Sequence, residues 1–275
     1  MGRSSRPSSS QQNNLQTNSN ESDGDNVVSY YNTDHSNRNA MSIGLNYSGT
    51  NFALSGPEID SNFIEDTLSG LGYGVNVVSD SNVNEKGILG NLEKLLNNNG
   101  RLFFHYSGHG GQSNRDSGER DEIADNKDEF LVGRFGNSVY DDALNDTVRK
   151  NINKGSALFV LIDACNSATS FDLKYKYDHV TKNTTTVSNR SPISGSSVVM
   201  ISGCRDNQTS VEFMTSVGYQ GALSMKFREI IEEESWETYT WKQFVGRLWA
   251  KLGGFSQKPQ LSSNDPKLLD ELVKF

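Results

Sequence analysis

Two groups able to exchange a proton stand at the ends of two apolar runs: Cys165 follows LFVLIDA and His109 follows RLFFHYSG. A thiol has a reference pKa near ~8.5 and is mostly protonated at neutral pH, so it becomes a useful nucleophile when an imidazole takes its proton. A lone cysteine is more often an inert buried thiol, and the equivalent placement of His109 is what favours chemistry here. Cys204 ends a third apolar run, SVVMISG, and competes with Cys165 for the same role. Carboxylates form the other reactive class. Asp163 stands two residues before Cys165, Asp60 lies in an amphipathic stretch, and Asp116, Glu119, Asp121, Glu122, Asp125, Asp128 and Glu129 crowd one polar loop. Most such runs are solvated, and this one lacks the regular spacing of an EF-hand, so a cation site here must draw on distant segments too.

The elements that must position these groups follow from periodicity. Short apolar runs predict strands at Ala40 to Leu45, Gly74 to Val78, Arg101 to Tyr106, Ala157 to Ile162 and Ser197 to Ser202. Helical spacing of Ile59, Phe63, Ile64 and Leu68 predicts a helix from Ser55 to Leu71, and Ile88, Leu89, Leu92, Leu95 and Leu96 one from Val83 to Asn98. Further helices are expected from Asp141 to Lys150, Gly221 to Glu234 and Thr240 to Leu252, with a hairpin about Gly136-Asn137 and a last edge strand within Gln257 to Ser263. The order predicts an α/β fold, a mostly parallel sheet flanked by helices with right-handed crossovers. In such sheets reacting groups sit just beyond the carboxyl ends of the strands, where Cys165 and His109 both fall.

Residues 1–39 of the 275 are Ser, Asn, Gln and Asp with hardly an apolar group, so they are expected to form a disordered polar leader. One domain is expected over 40–275, with a large segment about 40–173, a Ser, Thr, Asn and Lys-rich linker about 174–195 and a small segment about 196–275. A net charge of -8 argues against a nucleic-acid partner and suits a cationic substrate or a metal ion. Two cysteines make no disulfide framework and no stretch reaches membrane-spanning length, so a cytoplasmic protein without a membrane partner is expected.

His109 precedes Cys165 by close to the ~50 residues that separate the corresponding pair in caspases, each at its own strand end, which fits a Cys-His dyad. With FFHYSGHGGQ, the aspartates of KDEF and YDDAL, IDAC followed by SFDLKY, SGCRDNQTS and QKPQLSS, the chain resembles the type I metacaspases over residues 40–275. The resemblance implies a caspase-like fold and a calcium-dependent cysteine endopeptidase that cleaves protein or peptide substrates after Arg or Lys. It implies Cys165 and His109 as the dyad, the amides of Gly108 and Cys165 as the oxyanion hole, and Asp60, Ser107 and Asp163 as the specificity pocket. It further implies Asp128, Asp141, Asp142 and Asp172 as Ca2+ ligands, with Asp125 or Asp121 as alternatives to Asp128. A monomer is expected, with Lys174, Lys176, Lys182 and Arg190 as candidate self-cleavage sites. Two departures stand next to the nucleophile: Asn166 and Ala168 replace the histidine and glycine usual in the family. They keep open a weakly active or non-catalytic caspase-like adaptor that binds aggregates or partners through its polar tail.

Overall fold

A computed structural model describes residues 37–83, 87–113, 123, 127–165, 167, 169–203, 212–215, 218–233, 235–255 and 257–275. In chain order its strands and helices are β1 (Arg38–Gly44), α1 (Pro57–Gly70), β2 (Gly74–Val78), α2 (Gly87–Leu96), β3 (Arg101–Ser107), β4 (Gly110–Gln112), β5 (Glu129–Val132), β6 (Ser138–Tyr140) and α3 (Asp141–Asn151). They continue as β7 (Ala157–Asp163), β8 (Tyr175–Tyr177), β9 (Thr184–Thr186), β10 (Ser197–Ser202), β11 (Glu212–Thr215), β12 (Gly218–Gly221), α4 (Ala222–Ile231), α5 (Trp241–Lys251) and β13 (Gln260–Ser263).

Eight strands form the central sheet in the order β2-β1-β3-β7-β10-β13-β8-β9. The first five run parallel, as the alternation of strands and helices predicts. Both faces are covered, which explains why strands such as LFFHYS read as continuous apolar runs rather than alternating ones. Leu102, Phe104 and Tyr106 pack with Leu158, Val160 and Ile162 against Leu92 and Leu95 of α2 and Leu144 and Val148 of α3. Phe103, Phe159 and Leu161 face the other way, against Ile64 and Leu68 of α1, Phe227 of α4 and Phe244 and Leu248 of α5.

The far side of the sheet departs from the sequence expectation. β13 is not an edge strand: it lies between β10 and β8, antiparallel to both. The linker supplies the outer neighbours, since β8 pairs with β13 and turns into β9. Polar composition hid this hairpin. Thr184–Thr186 has exposed residues, so it carries no apolar alternation to read, only the β-branched side chains that suit a strand. Among the described residues, no helix is long and apolar enough to cross a membrane.

Candidate active site

β3 and β7 are parallel neighbours whose register ends with Ser107 opposite Asp163. His109 and Cys165 each lie two residues beyond that pair, on strands ~4.8 Å apart, so the fold brings them to one place. The two segments touch closely: a methyl placed on Gly110 would lie 2.5 Å from the Cys165 carbonyl oxygen and 3.1 Å from Ala164 Cβ. Only glycine allows that approach. Cys165 is half-buried. Cys204, Asp121, Asp125, Asn166 and Ala168 lie outside the described residues.

His109 is held from three sides. Its Nε2 is 2.7 Å from the Phe52 carbonyl oxygen. A carbonyl only accepts, so Nε2 carries the proton and the basic lone pair is on Nδ1. Its backbone N–H donates to Tyr47 Oη at 2.9 Å, and its carbonyl accepts from Tyr106 Oη at 2.7 Å. The Tyr47 ring lies 4.8 Å from the imidazole, centroid to centroid. Burial pushes the Tyr47 phenol up to about 12, and that of Tyr106 well above its ordinary value, so both hydroxyls keep their protons as hydrogen-bond donors.

The amide expected at the oxyanion, Gly108 N–H, donates instead to the Asp163 carbonyl at 3.3 Å, completing the β3–β7 ladder. Gly110 is differently placed. β4 pairs antiparallel with β5, with Gly110 opposite Leu131. Flanking backbone bonds run from Ser113 to Asp128 and from Val132 to His109, so bonded positions alternate and Gly110 turns its N–H away from β5.

Asp60, Ser107 and Asp163 are all buried and come together near the carboxyl ends of β3 and β7. Ser107 Oγ donates to Asp60 Oδ2 at 2.7 Å, and Gly221 N–H donates to both Asp60 oxygens at 3.0 Å. Asp163 Oδ2 accepts from Ser224 N–H at 2.8 Å and Ser224 Oγ at 2.9 Å, while Gln257 Nε2 donates to Oδ1 at 3.1 Å. The two carboxylates converge at Gly221, where an added methyl would sit 2.3 Å from Asp163 Oδ2 and 2.8 Å from Asp60 Oδ2.

Asp128, Asp141 and Asp172 are buried, and Asp142 is partly so. Asp141 Oδ2 accepts the N–H of Glu129 at 2.5 Å, which joins the start of α3 to the strand after Asp128. Asp142 and Asp172 meet through Arg190 from the linker. Its guanidinium contacts Asp142 Oδ1, reaches Asp146 Oδ1 at 3.1 Å and lies 3.8 Å from Asp172 Oδ2. The oxygens are of the hard type a divalent cation takes. A guanidinium nevertheless stands among them, and among the described residues no three acidic, imidazole or thiol groups are arranged to hold a metal.

Sequence reasoning missed several residues. Phe52 acts through its backbone, which no side-chain pattern reveals. Tyr47 stands in a polar turn without a sequence pattern of its own, and its positive φ of 53° marks it as a specially held residue. Ser224 and Gln257 come from the far end of the chain, with Gln257 inside the QKPQLSS motif but without an assigned part.

A caspase-domain family model matches residues 37–269. The chain is 27% identical to metacaspase-1 of Mycosarcoma maydis, over 88% of this chain and 74% of that protein. It is 28% identical to metacaspase-1 of Saccharomyces cerevisiae, over 83% and 67% respectively, and 27% identical to that of Schizosaccharomyces pombe, over 88% and 71%. Protein GSU0716 of Geobacter sulfurreducens superposes with a TM-score of 0.60 at 20% identity, covering 86% of this chain and all of its own. The Drosophila initiator caspase Dronc does so with a TM-score of 0.52 at 11% identity, covering 84% and 80%. These two likenesses concern the fold alone. Matched over nearly all of its described length, the chain belongs to the caspase-domain family and is a cysteine endopeptidase of the metacaspase kind.

Proposed function

We propose that this peptidase cleaves after Arg or Lys through Cys165 and His109, and that calcium controls it. The observation that supports the specificity is the convergence of Asp60 and Asp163 on one point beside Gly221. Two buried carboxylates attract a guanidinium or ammonium group, and Arg offers a fork of N–H donors for them. The same pair repels an acidic side chain.

In the proposed reaction Cys165 Sγ attacks the scissile carbonyl carbon as its proton passes to His109 Nδ1. The amides of Cys165 and Gly110 face the developing oxyanion; Gly110 takes the place expected of Gly108, whose N–H is engaged by Asp163. Nδ1 then protonates the leaving amine as the C–N bond breaks, leaving a thioester on Cys165. Water gives a proton to Nδ1, attacks that carbonyl and expels the thiolate, which recovers the proton. The Phe52 carbonyl holds Nε2–H throughout, so the ring need not turn over between steps.

Asp128, Asp141, Asp142 and Asp172 would hold the calcium ion by closing on it, since among the described residues no three of them are set to hold a metal. When bound, calcium would neutralise carboxylates that are costly to bring together without a cation. Arg190 supplies a positive charge to two of them, so the ion must displace or share with that guanidinium. Of the basic linker residues, Lys176 lies in the paired strand β8 and Arg190 is ion-paired, whereas Lys182 is exposed in the turn between β8 and β9. Exposed tips are where chains are usually nicked, so self-processing is assigned to Lys182. A monomer is supported by the β8–β9 hairpin, which lies along β13 and ends the sheet in a strand only three residues long.

Hydrolysis of paired fluorogenic peptides ending in Arg or in Asp tests this reading, with calcium titrated for the wild type and Cys165→Ala. Cleavage after Arg that needs calcium and vanishes in the variant is expected. Cleavage after Asp, or calcium-independent cleavage, overturns the corresponding part.

A further inference from the structure

Behind the specificity pocket lies a histidine that the reaction does not use. His105 is wholly buried in β3, between Ser42 of β1 and Ser224 of α4. Its Nδ1 is 2.8 Å from Ser42 Oγ, and its Nε2 is 3.2 Å from Ser224 Oγ. The proton of Ser224 Oγ has a destination, since Asp163 Oδ2 accepts at 2.9 Å and a carboxylate is the stronger acceptor. The Ser224–His105 contact must then be donated by Nε2–H. Nδ1 is left as an acceptor, matched by the Ser42 hydroxyl, whose alternative partner, the Ser61 carbonyl, is farther away at 3.2 Å. Every proton in this chain points the same way, from Ser42 to His105 to Ser224 to Asp163.

Resting on the reading of Asp163 as a substrate-binding acid, we propose that Ser224 and His105 are positioning residues for recognition of the substrate's cationic side chain. Aligned hydrogen bonds polarise one another, so the relay strengthens the last bond and fixes the Asp163 carboxylate. Burial without an acidic partner lowers the His105 pKa to about 3, so the ring serves as a neutral donor and adds no charge to compete with the substrate's. Ser224 also donates its backbone N–H to Asp163 Oδ2, which places two of that oxygen's donors on one residue. The remaining oxygen, Oδ1, is held by Gln257. The relay thus orients the carboxylate from behind without touching the nucleophile.

The test compares kcat/KM for two peptides that differ only in Arg or citrulline before the cleaved bond, so that shape is kept and charge removed. In Ser224→Ala the preference for Arg is expected to fall about tenfold, the worth of one hydrogen bond to a charged group. His105→Leu should move it the same way, and His105→Gln, which keeps an N–H near the Nε2 position, should recover it. Thermal melts identify any variant that fails to fold, and Ser224→Ala then decides the matter alone. Equal losses on both peptides, or an unchanged preference in Ser224→Ala, overturn the relay. Asp163→Asn separates the two layers: if it leaves the preference intact, the pocket reading itself is wrong, and if it abolishes the preference while Ser224→Ala does not, only the relay is.

Discussion

Replacing Arg190 by Ala should make calcium bind more tightly while making the calcium-free protein less stable. The guanidinium lies against Asp142 and 3.8 Å from Asp172 Oδ2, whose side chain is only 2% exposed. At an effective dielectric constant of ~20, opposite charges ~4 Å apart attract by about 4 kcal/mol, before the desolvation of Arg190 is subtracted. The contact with Asp146, itself 49% exposed, adds about 1 kcal/mol at most. A net loss of about 3 kcal/mol is therefore expected without calcium, a fall of roughly 6–12 °C in Tm for a domain this size. Where the ion and the guanidinium exclude one another, the same quantity returns on the binding side: about 3 kcal/mol is ~100-fold in Kd. Calorimetric titration with calcium and melts with and without chelator, both in a Cys165→Ala background, measure the two halves without depending on activity. Unchanged or weaker calcium binding in Arg190→Ala would refute the exchange, whatever happened to Tm.

Three further changes probe the rest of the site. Tyr47→Phe leaves the part-buried His109 N–H without its 2.9 Å acceptor, a loss of about 1–3 kcal/mol. The expected result is a kcat lowered at least ~5-fold with KM little changed, read by steady-state kinetics. Gly221→Ala drives a methyl into both pocket carboxylates and should depress kcat/KM for Arg peptides about 100-fold, with only a moderate change in Tm. His105, neutral and buried, titrates at about 3 in the folded chain against ~6.5 unfolded, so the unfolded state binds the extra proton between those values. Its contribution is complete above pH ~6.5 and is lost as pH falls towards 3, by up to about 1.4 kcal/mol per pH unit. His105→Gln should accordingly flatten the dependence of Tm on pH in that window; an unchanged slope contradicts the assigned state of the ring.

The parallel half of the fold could be read from the chain because buried strands and amphipathic helices leave strong periodic signals. LFF and ALFVLI are apolar throughout because helices cover both faces, and the carboxyl ends of their strands had to neighbour one another. The placement of His109 and Cys165 at adjacent strand ends followed from that. The antiparallel side was opaque for the opposite reason. β8 and β9 are held mainly by partner strands, with only Tyr177 buried in the core, so YKY and TTT look like linker. That the Gly108 N–H is engaged by Asp163 was hidden for a subtler reason: which N–H groups a strand end leaves open depends on the rung of the ladder each residue occupies, and sequence carries no register. Arg190 looked like one of four basic residues in a loop. Its meeting with Asp142 and Asp172 joins segments separated by α3 and β7, which no local pattern encodes.

Hydrogen bonds among the described residues also link the acidic cluster to the neighbourhood of Cys165. Ser167 Oγ donates to the Ala164 carbonyl at 2.9 Å, and Ser170 Oγ donates to the Ser167 carbonyl at 2.9 Å. Asp172 N–H then closes on the Thr169 carbonyl at 2.7 Å, with Asp172 itself at a positive φ of 44°. Asn145 of α3 grips the far end, donating to the carbonyls of both Phe171 and Asp172. These bonds tie the loop that carries the Asp172 carboxylate to Ser167 and so to the Ala164 carbonyl, one residue before Cys165. A non-glycine residue held in the left-handed region is strained and persists only while its surroundings over-determine it. Whatever cation balances Asp172, the guanidinium of Arg190 or a calcium ion in its place, therefore acts on the same backbone that carries the thiol. On the proposed reading, calcium would act on Cys165 through these bonds without approaching the scissile bond.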